Sequence, residues 1–149
     1  MNTKEERYEK YLLDFIPVTQ SMDFSVLEYG SRQTTIKAGF EANKSKKDFA
    51  FGGSIVSLCL ASAWSLLKCR MDEEGIDGVI VINKQDTKFR LPVTSDFVAT
   101  SRFLSEENWE RFKEMLDRMR RGRVTIESDV YFSDQLGATF NGVFAVVKE

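Results

Sequence analysis

Histidine is absent from all 149 residues. That excludes a Ser-His-Asp triad, a Cys-His pair and any His-based zinc site. Cysteine is nearly absent too, with only Cys59 and Cys69. On one helix they would lie about 15 Å apart, beyond the reach of a disulfide. They read as reduced core thiols, which suits the cytoplasm. No charge sign dominates: 21 Lys and Arg face 23 Asp and Glu, for a net charge of −2. Nothing in that balance favours nucleic acid. The charged first ten residues are not followed by the apolar segment of a signal peptide. No linker, repeat or low-complexity tract divides the chain, so residues 1–149 are expected to form one domain.

What stands out among the residues present is Ala50-Phe51-Gly52-Gly53-Ser54, followed by an almost unbroken apolar run to Cys69. The run carries no Asp or Glu between Ser54 and Met71. It predicts a long helix that is apolar nearly all round and therefore buried on most sides. It is too short and too serine-dotted for a bilayer span, so no membrane partner is expected. A sheet wrapped around it is the simplest way to bury it. Its glycine-opened start then offers free N–H groups to an oxyanion or phosphate.

The flanks supply that sheet. A short amphipathic helix spans Lys4 to Phe15, with Tyr8, Tyr11, Leu12 and Phe15 on one face and Ile16-Pro17 as its stop. Met22, Phe24 and Val26 alternate with polar residues, as do Thr34, Ile36, Ala38 and Phe40, with a turn at Tyr29-Gly30-Ser31. Glu41 to Asp48 reads as a polar loop, and the long helix should end near Gly75. A strand from Val79 to Leu91 turns at Pro92 to Asp96 and returns from Phe97 to Leu104. Ser105 caps a helix with Trp109, Phe112, Leu116 and Met119 at helical spacing, ended by Gly122. Strands over Val124–Phe132 and Ala138–Val147 close the chain, joined by a turn at Asp134-Gln135-Leu136-Gly137. The order α-β-β-α-β-β-α-β-β predicts an α+β fold, with a curved antiparallel sheet around the long central helix. Free sheet edges predict at least a homodimer.

At this level the chain resembles the hotdog-fold thioesterase family, specifically the domain found alone or fused C-terminal to an acetyltransferase domain in bacteria. The resemblance rests on Asn43, Ala50-Phe51-Gly52-Gly53-Ser54, Ala63-Trp64, Gly75-Ile76-Asp77, Ile80-Val81-Ile82, Phe89 and Pro92-Val93-Thr94-Ser95-Asp96. It continues through Asn108-Trp109-Glu110-Arg111-Phe112 and Gly122-Arg123-Val124. It implies a hydrolase acting on acyl-CoA or acyl-carrier thioesters, with coenzyme A as part of the substrate and no other cofactor. It also implies a substrate cleft at a subunit boundary. Many hotdog thioesterases carry His-Gly-Gly where this chain has Phe51-Gly52-Gly53, and a carboxylate further along the helix. Here that region reads Leu58-Cys59-Leu60-Ala61-Ser62, without a base.

Thioester hydrolysis needs a polarised carbonyl and an activated water. Helix-start N–H groups meet the first need, so the carbonyl is expected against Gly52, Gly53 and Ser54, with Phe51 beside it. For Gly52 and Gly53 the plainer role is a tight turn. Ser54, Ser57, Ala61, Ser65 and Lys68 share one face and either line a substrate path or bond within the fold. Asn43 either orients a water or serves as a turn residue. Asp48 is either a base or a helix-start charge. Asp86 and Asp96 read as surface and turn carboxylates. Lys44, Lys46 and Lys47 either meet coenzyme A phosphates or are plain surface charge. The missing carboxylate keeps a second class open: a non-catalytic acyl-thioester-binding or assembly module.

Overall fold

The structure is a computed structural model that describes residues 2–149. Helix α1 is Lys4–Phe15, opened by Thr3 and Glu6 as a reciprocal capping box. A 3-10 turn, Pro17–Ser21, follows the proline stop. Strands β1 (Phe24–Tyr29) and β2 (Gln33–Ala38) come next, then a four-residue helix α2 (Phe40–Asn43) inside the stretch predicted as loop. The long helix α3 spans Gly52–Glu73. Strands β3 (Val79–Phe89) and β4 (Phe97–Phe103), helix α4 (Glu106–Met119) and strands β5 (Arg121–Phe132) and β6 (Gln135–Val147) complete the chain.

All six strands form one sheet, in the order β1-β2-β4-β5-β6-β3, and every neighbouring pair is antiparallel. Alternate residues of β2, β4, β5 and β6 face α3 and are buried. Leu58, Cys59, Ala63, Leu66 and Leu67 of α3 are fully enclosed. Contrary to the sequence expectation, α3 at 22 residues is long and apolar enough to cross a membrane by length and composition, yet 61% of that window is buried inside the domain. This is the hotdog architecture: a curved antiparallel sheet around a central helix.

A short run of hydroxyls fixes the helix to the sheet. Ser62 Oγ lies 3.1 Å from the Thr34 carbonyl and 3.2 Å from the Ala99 carbonyl. Ser101 Oγ donates to Ser62 Oγ at 2.8 Å and also bonds Ser128 Oγ. All three serines are inaccessible to solvent. The run links α3 to β2, β4 and β5 and satisfies groups that would otherwise be costly to bury.

Two turns differ from the sequence expectation. Gly122 does not end α4; Arg120 does, in the left-handed region at φ 60°. Gly122 lies within β5, where a Cβ would stand 3.0 Å from Phe112, so the glycine admits close helix packing. The last hairpin turns at Ser133-Asp134, not at Asp134–Gly137. Both residues have positive φ (46° and 62°), the type I′ geometry that matches strand twist. The end of α3 is as predicted: Gly75, at φ +69°, closes it with Ile76 N–H donating to the Met71 carbonyl, a Schellman motif.

Arg70 ties the C-terminal part of α3 to α4. It bonds Glu74 at 2.6 Å and Glu106 at 2.7 Å, and its guanidinium lies 4.7 Å from the Trp109 ring centre. The Arg70 bond holds the Glu106 carboxyl below its ordinary value. Burial pushes Glu74 up, but bonds from Arg70, Lys113 and Trp109 outweigh it and the net shift is downward. Depressed carboxylates stabilise the fold above their unfolded pKa and lose that contribution as pH falls through the folded one. Arg70→Ala should therefore cost about 2–3 kcal/mol at neutral pH. Between about pH 5 and pH 3 the variant should lose less stability than the parent. Urea titrations at both pH values check this; equal acid sensitivity would contradict it.

Candidate active site

The start of α3 is built by three short backbone contacts. Ala50 N–H donates to the Val93 carbonyl at 2.8 Å, and Phe51 N–H to the Asn43 carbonyl at 2.8 Å. Ser54 N–H turns back to the Phe51 carbonyl at 3.0 Å. No side chain caps this end. Among the described residues, the N–H groups of Gly52 and Gly53 have no acceptor. The helix thus presents two adjacent free donors at its positive end, and these are glycines without side chains to cover them. The third expected donor, Ser54 N–H, is already in use inside the first turn.

Phe51 lies over Gly53: a Cβ on Gly53 would stand 2.5 Å from its ring. The ring is otherwise 61% exposed, so it has freedom to move aside. On the Gly52 side is a cavity of about 390 Å³ lined by Phe49, Ile55, Phe89, Leu91 and Val93. Phe89 and Leu91 are largely exposed apolar residues at the end of β3. The sequence reading did not assign them to the site. Their signal is present only in hindsight of topology, because Pro92 and Val93 return the chain to the helix start.

The other expected site residues divide. Ser57 is one helical turn beyond Gly53, on the same face, and lines a second, apolar cavity. Ser54 is buried, one residue past the free donors. Ser65 is committed to the fold: it donates to the Ala61 carbonyl at 2.6 Å and accepts from Tyr8. Asn43 is buried, and its amide nitrogen donates to the carbonyls of Met22 and Gly39 at 2.7 and 2.8 Å. With its own carbonyl on Phe51 N–H, it stitches the N-terminal segment to the start of α3. Asp48 is exposed in the Ser45–Phe49 turn, in left-handed backbone at φ 62°. Asp96 accepts from Phe40 N–H at 2.7 Å and so caps α2. Asp86 lies opposite Asn141 on the outer face of the sheet. Lys44 pairs with Glu41 at 3.1 Å. Burial pushes both cysteine thiols up, which keeps them protonated and poor nucleophiles.

The arrangement suits polarisation of a carbonyl more than activation of a nucleophile. Comparison with known proteins agrees with the class. A family model described as "Putative thioesterase (yiiD_Cterm)" matches residues 5–148. The chain belongs to that family. Among solved structures, a protein of unknown function from Chlorobaculum tepidum TLS superposes with a TM-score of 0.89 at 23% identity, covering 97% of this chain and 94% of that one. A "putative thioesterase" from Shewanella oneidensis gives a TM-score of 0.84 at 22% identity, with 96% of each chain covered. A thioesterase from Haemophilus influenzae gives 0.77 at 11% identity, covering 99% of this chain and 93% of that one. At these identities the structural matches speak for the shared fold.

The Asn43 geometry makes a stability prediction. Asn43→Ala removes two donated bonds, one buried and one partly buried, and leaves two carbonyls without that partner. It should destabilise the domain by about 1–3 kcal/mol. A melting temperature equal to the parent's would contradict this reading of the residue.

Proposed function

We propose that the chain hydrolyses acyl thioesters of the acyl-CoA or acyl-carrier type. The carbonyl oxygen accepts from the free N–H groups of Gly52 and Gly53, and water is the nucleophile. The observation that carries this is the pair of unpaired donors at the start of a 22-residue helix, beside an apolar cavity. As the carbonyl becomes tetrahedral, negative charge grows on its oxygen, and fixed dipoles aimed there stabilise it. The departing thiolate is a good leaving group, which lowers the demand on the missing imidazole. Phe51 and Gly52 border the bound thioester, and Ser54 and Ser57 face the path beyond it. Asn43 acts through its hold on Phe51. Asp48 is the carboxylate we assign to water activation, on its place in the loop leading to the helix.

One observation favours the second reading, a binding module without turnover. Helix α3 offers neither imidazole nor carboxylate in its first four turns. A panel of acyl-CoA substrates with free-thiol detection separates the two: saturable binding without thiol release selects the module. If the hydrolase reading holds, the branched side chain of Gly53→Val keeps the carbonyl oxygen from the backbone donors and should lower kcat about a hundredfold, the amount an oxyanion donor typically carries. Its Cβ meets only the exposed Phe51 ring, so the fold should survive. Undiminished turnover by Gly53→Val would place the carbonyl elsewhere.

We also propose that two copies assemble through β3, in the cytoplasm. The two sheet edges are treated differently. On β1, Val26 N–H donates to Glu9 at 2.8 Å and Tyr29 N–H to Glu5 at 3.2 Å, so α1 occupies that edge. Strand β3 has no such cover and carries exposed Val79, Val81, Ile82 and Phe89. Antiparallel pairing of two β3 strands would extend the sheet and put each α3 start near a subunit boundary. Light scattering should give twice the 17.1 kDa chain mass at micromolar concentration; a monomer would refute it.

A further inference from the structure

Helix α3 is not enclosed on all sides. Gly53, Ser57, Leu60 and Trp64 form a stripe that the sheet leaves at least partly open. They follow three- and four-residue steps, so they stand one above another along a single face. A cavity of about 420 Å³ flanks this stripe from Ser57 to Trp64. Its other walls are Met22, Phe24, Ile80, Ile82 and Phe144, and the 3-10 turn after α1 closes one side through Ile16 and Val18. Ser57 and Thr19 are its polar lining residues. Such a concave, apolar volume is of the size that holds small ligands, not a protein segment.

The far end of the cavity has a definite stop. Trp64 is stacked by Phe15 at 5.6 Å, and Phe15 in turn by Tyr11 at 5.3 Å. Beyond Trp64 lies another cavity, of about 320 Å³, that shares Trp64 and Ile80 with the first. Its character is different, because Lys68, Asp72 and Asp77 line it and Lys68 pairs with Asp72 at 3.0 Å. An apolar chain gains by filling the first cavity and loses by entering the second.

We propose that the Ser57–Trp64 cavity holds the alkyl tail of a straight-chain acyl group, and that Trp64 sets its maximum length. This rests on the thioester reading above, since the carbonyl at Gly53 gives the tail its starting point one turn away. From Gly53 to Trp64 the helix advances about 16 Å. With carbon–carbon bonds of about 1.5 Å in zigzag, each carbon advances the chain by about 1.25 Å, so that span takes roughly thirteen carbons. The preferred substrates are therefore straight-chain aliphatic thioesters of about twelve to fourteen carbons. Trp64 acts as a specificity-determining wall, not as a catalytic residue.

The test compares chain-length profiles, with kcat/KM measured from butanoyl- to hexadecanoyl-CoA. In parallel, calorimetry measures binding of the corresponding non-hydrolysable thioethers. The parent should prefer dodecanoyl or tetradecanoyl chains. Trp64→Ala adds the volume of the indole to the first cavity and should raise the hexadecanoyl-to-decanoyl ratio at least about tenfold. Leu60→Trp narrows the cavity midway and should lower the decanoyl-to-butanoyl ratio at least about tenfold. Ratios within one variant cancel any loss of folded protein. Profiles of unchanged shape in both variants overturn the proposal, even if every thioester is hydrolysed. Thioethers that bind with the predicted optimum and shifts, while no thioester is cleaved, uphold the cavity assignment and overturn the hydrolase reading. Absence of both binding and cleavage overturns both.

Discussion

The rest of the molecule depends on one demand: α3 has too much apolar surface to lie on anything flat. Leu58, Cys59, Ala63, Leu66 and Leu67 point in several directions and all are enclosed. A two-layer packing would leave one side of that helix in water, at about 25 cal/mol for each Å² exposed. Curving an antiparallel sheet around it removes most of that exposure. Burial then restricts the helix itself, which is why small residues alternate with large ones where strands approach: Ala61, Ser62, Ala63 and Ser65 allow the backbone to sit close.

Apolar packing alone does not fix how a smooth helix is rotated in its trough. The hydroxyl contacts of Ser62, Ser101 and Ser128 do, because a hydroxyl in a dry core has few ways to be satisfied. Setting the rotation decides which stripe faces away from the sheet. That stripe is Gly53, Ser57, Leu60 and Trp64, so the same contacts that secure the core also orient the open face. The open end of the helix inherits its geometry from the same source. Two N–H groups are left free there because Phe51, at the cap position, has no side-chain acceptor to offer them.

Much of this was legible in the chain. The all-round apolar run announces a wrapped helix, and alternation in Thr34–Ala38 or Val124–Phe132 marks strands buried on one face. The resemblance carried by Ala50–Ser54 and Pro92–Asp96 agrees with the family match over residues 5–148. The misses have local physical causes. Gly122 looks like a helix stop, because in sequence a glycine that ends a helix and one that admits a neighbouring ring are the same letter. Ser133-Asp134 takes the left-handed turn without glycine, since the hairpin's twist imposes it. The glycine opening of α3 at Gly52 and Gly53 was readable, but the commitment of Asn43 to Met22 and Gly39 was not. Those partners come from another part of the chain, brought together only by folding. Phe89 was read as part of the resemblance and Leu91 as the end of a strand, but neither as lining the helix start, for the same reason.

The central claim is that a thioester carbonyl is received by the free donors of Gly52 and Gly53. Amide chemical shifts report on those donors directly. Titration of a non-hydrolysable acyl-CoA analogue bearing a carbonyl at the thioester position, followed by proton–nitrogen correlation spectra, is the most direct measurement. The account predicts saturable downfield shifts of the Gly52 and Gly53 amide protons, larger than that of Ser54, whose N–H is already bonded. Saturable binding that leaves both glycine amides unmoved, with shifts concentrated elsewhere, would contradict it.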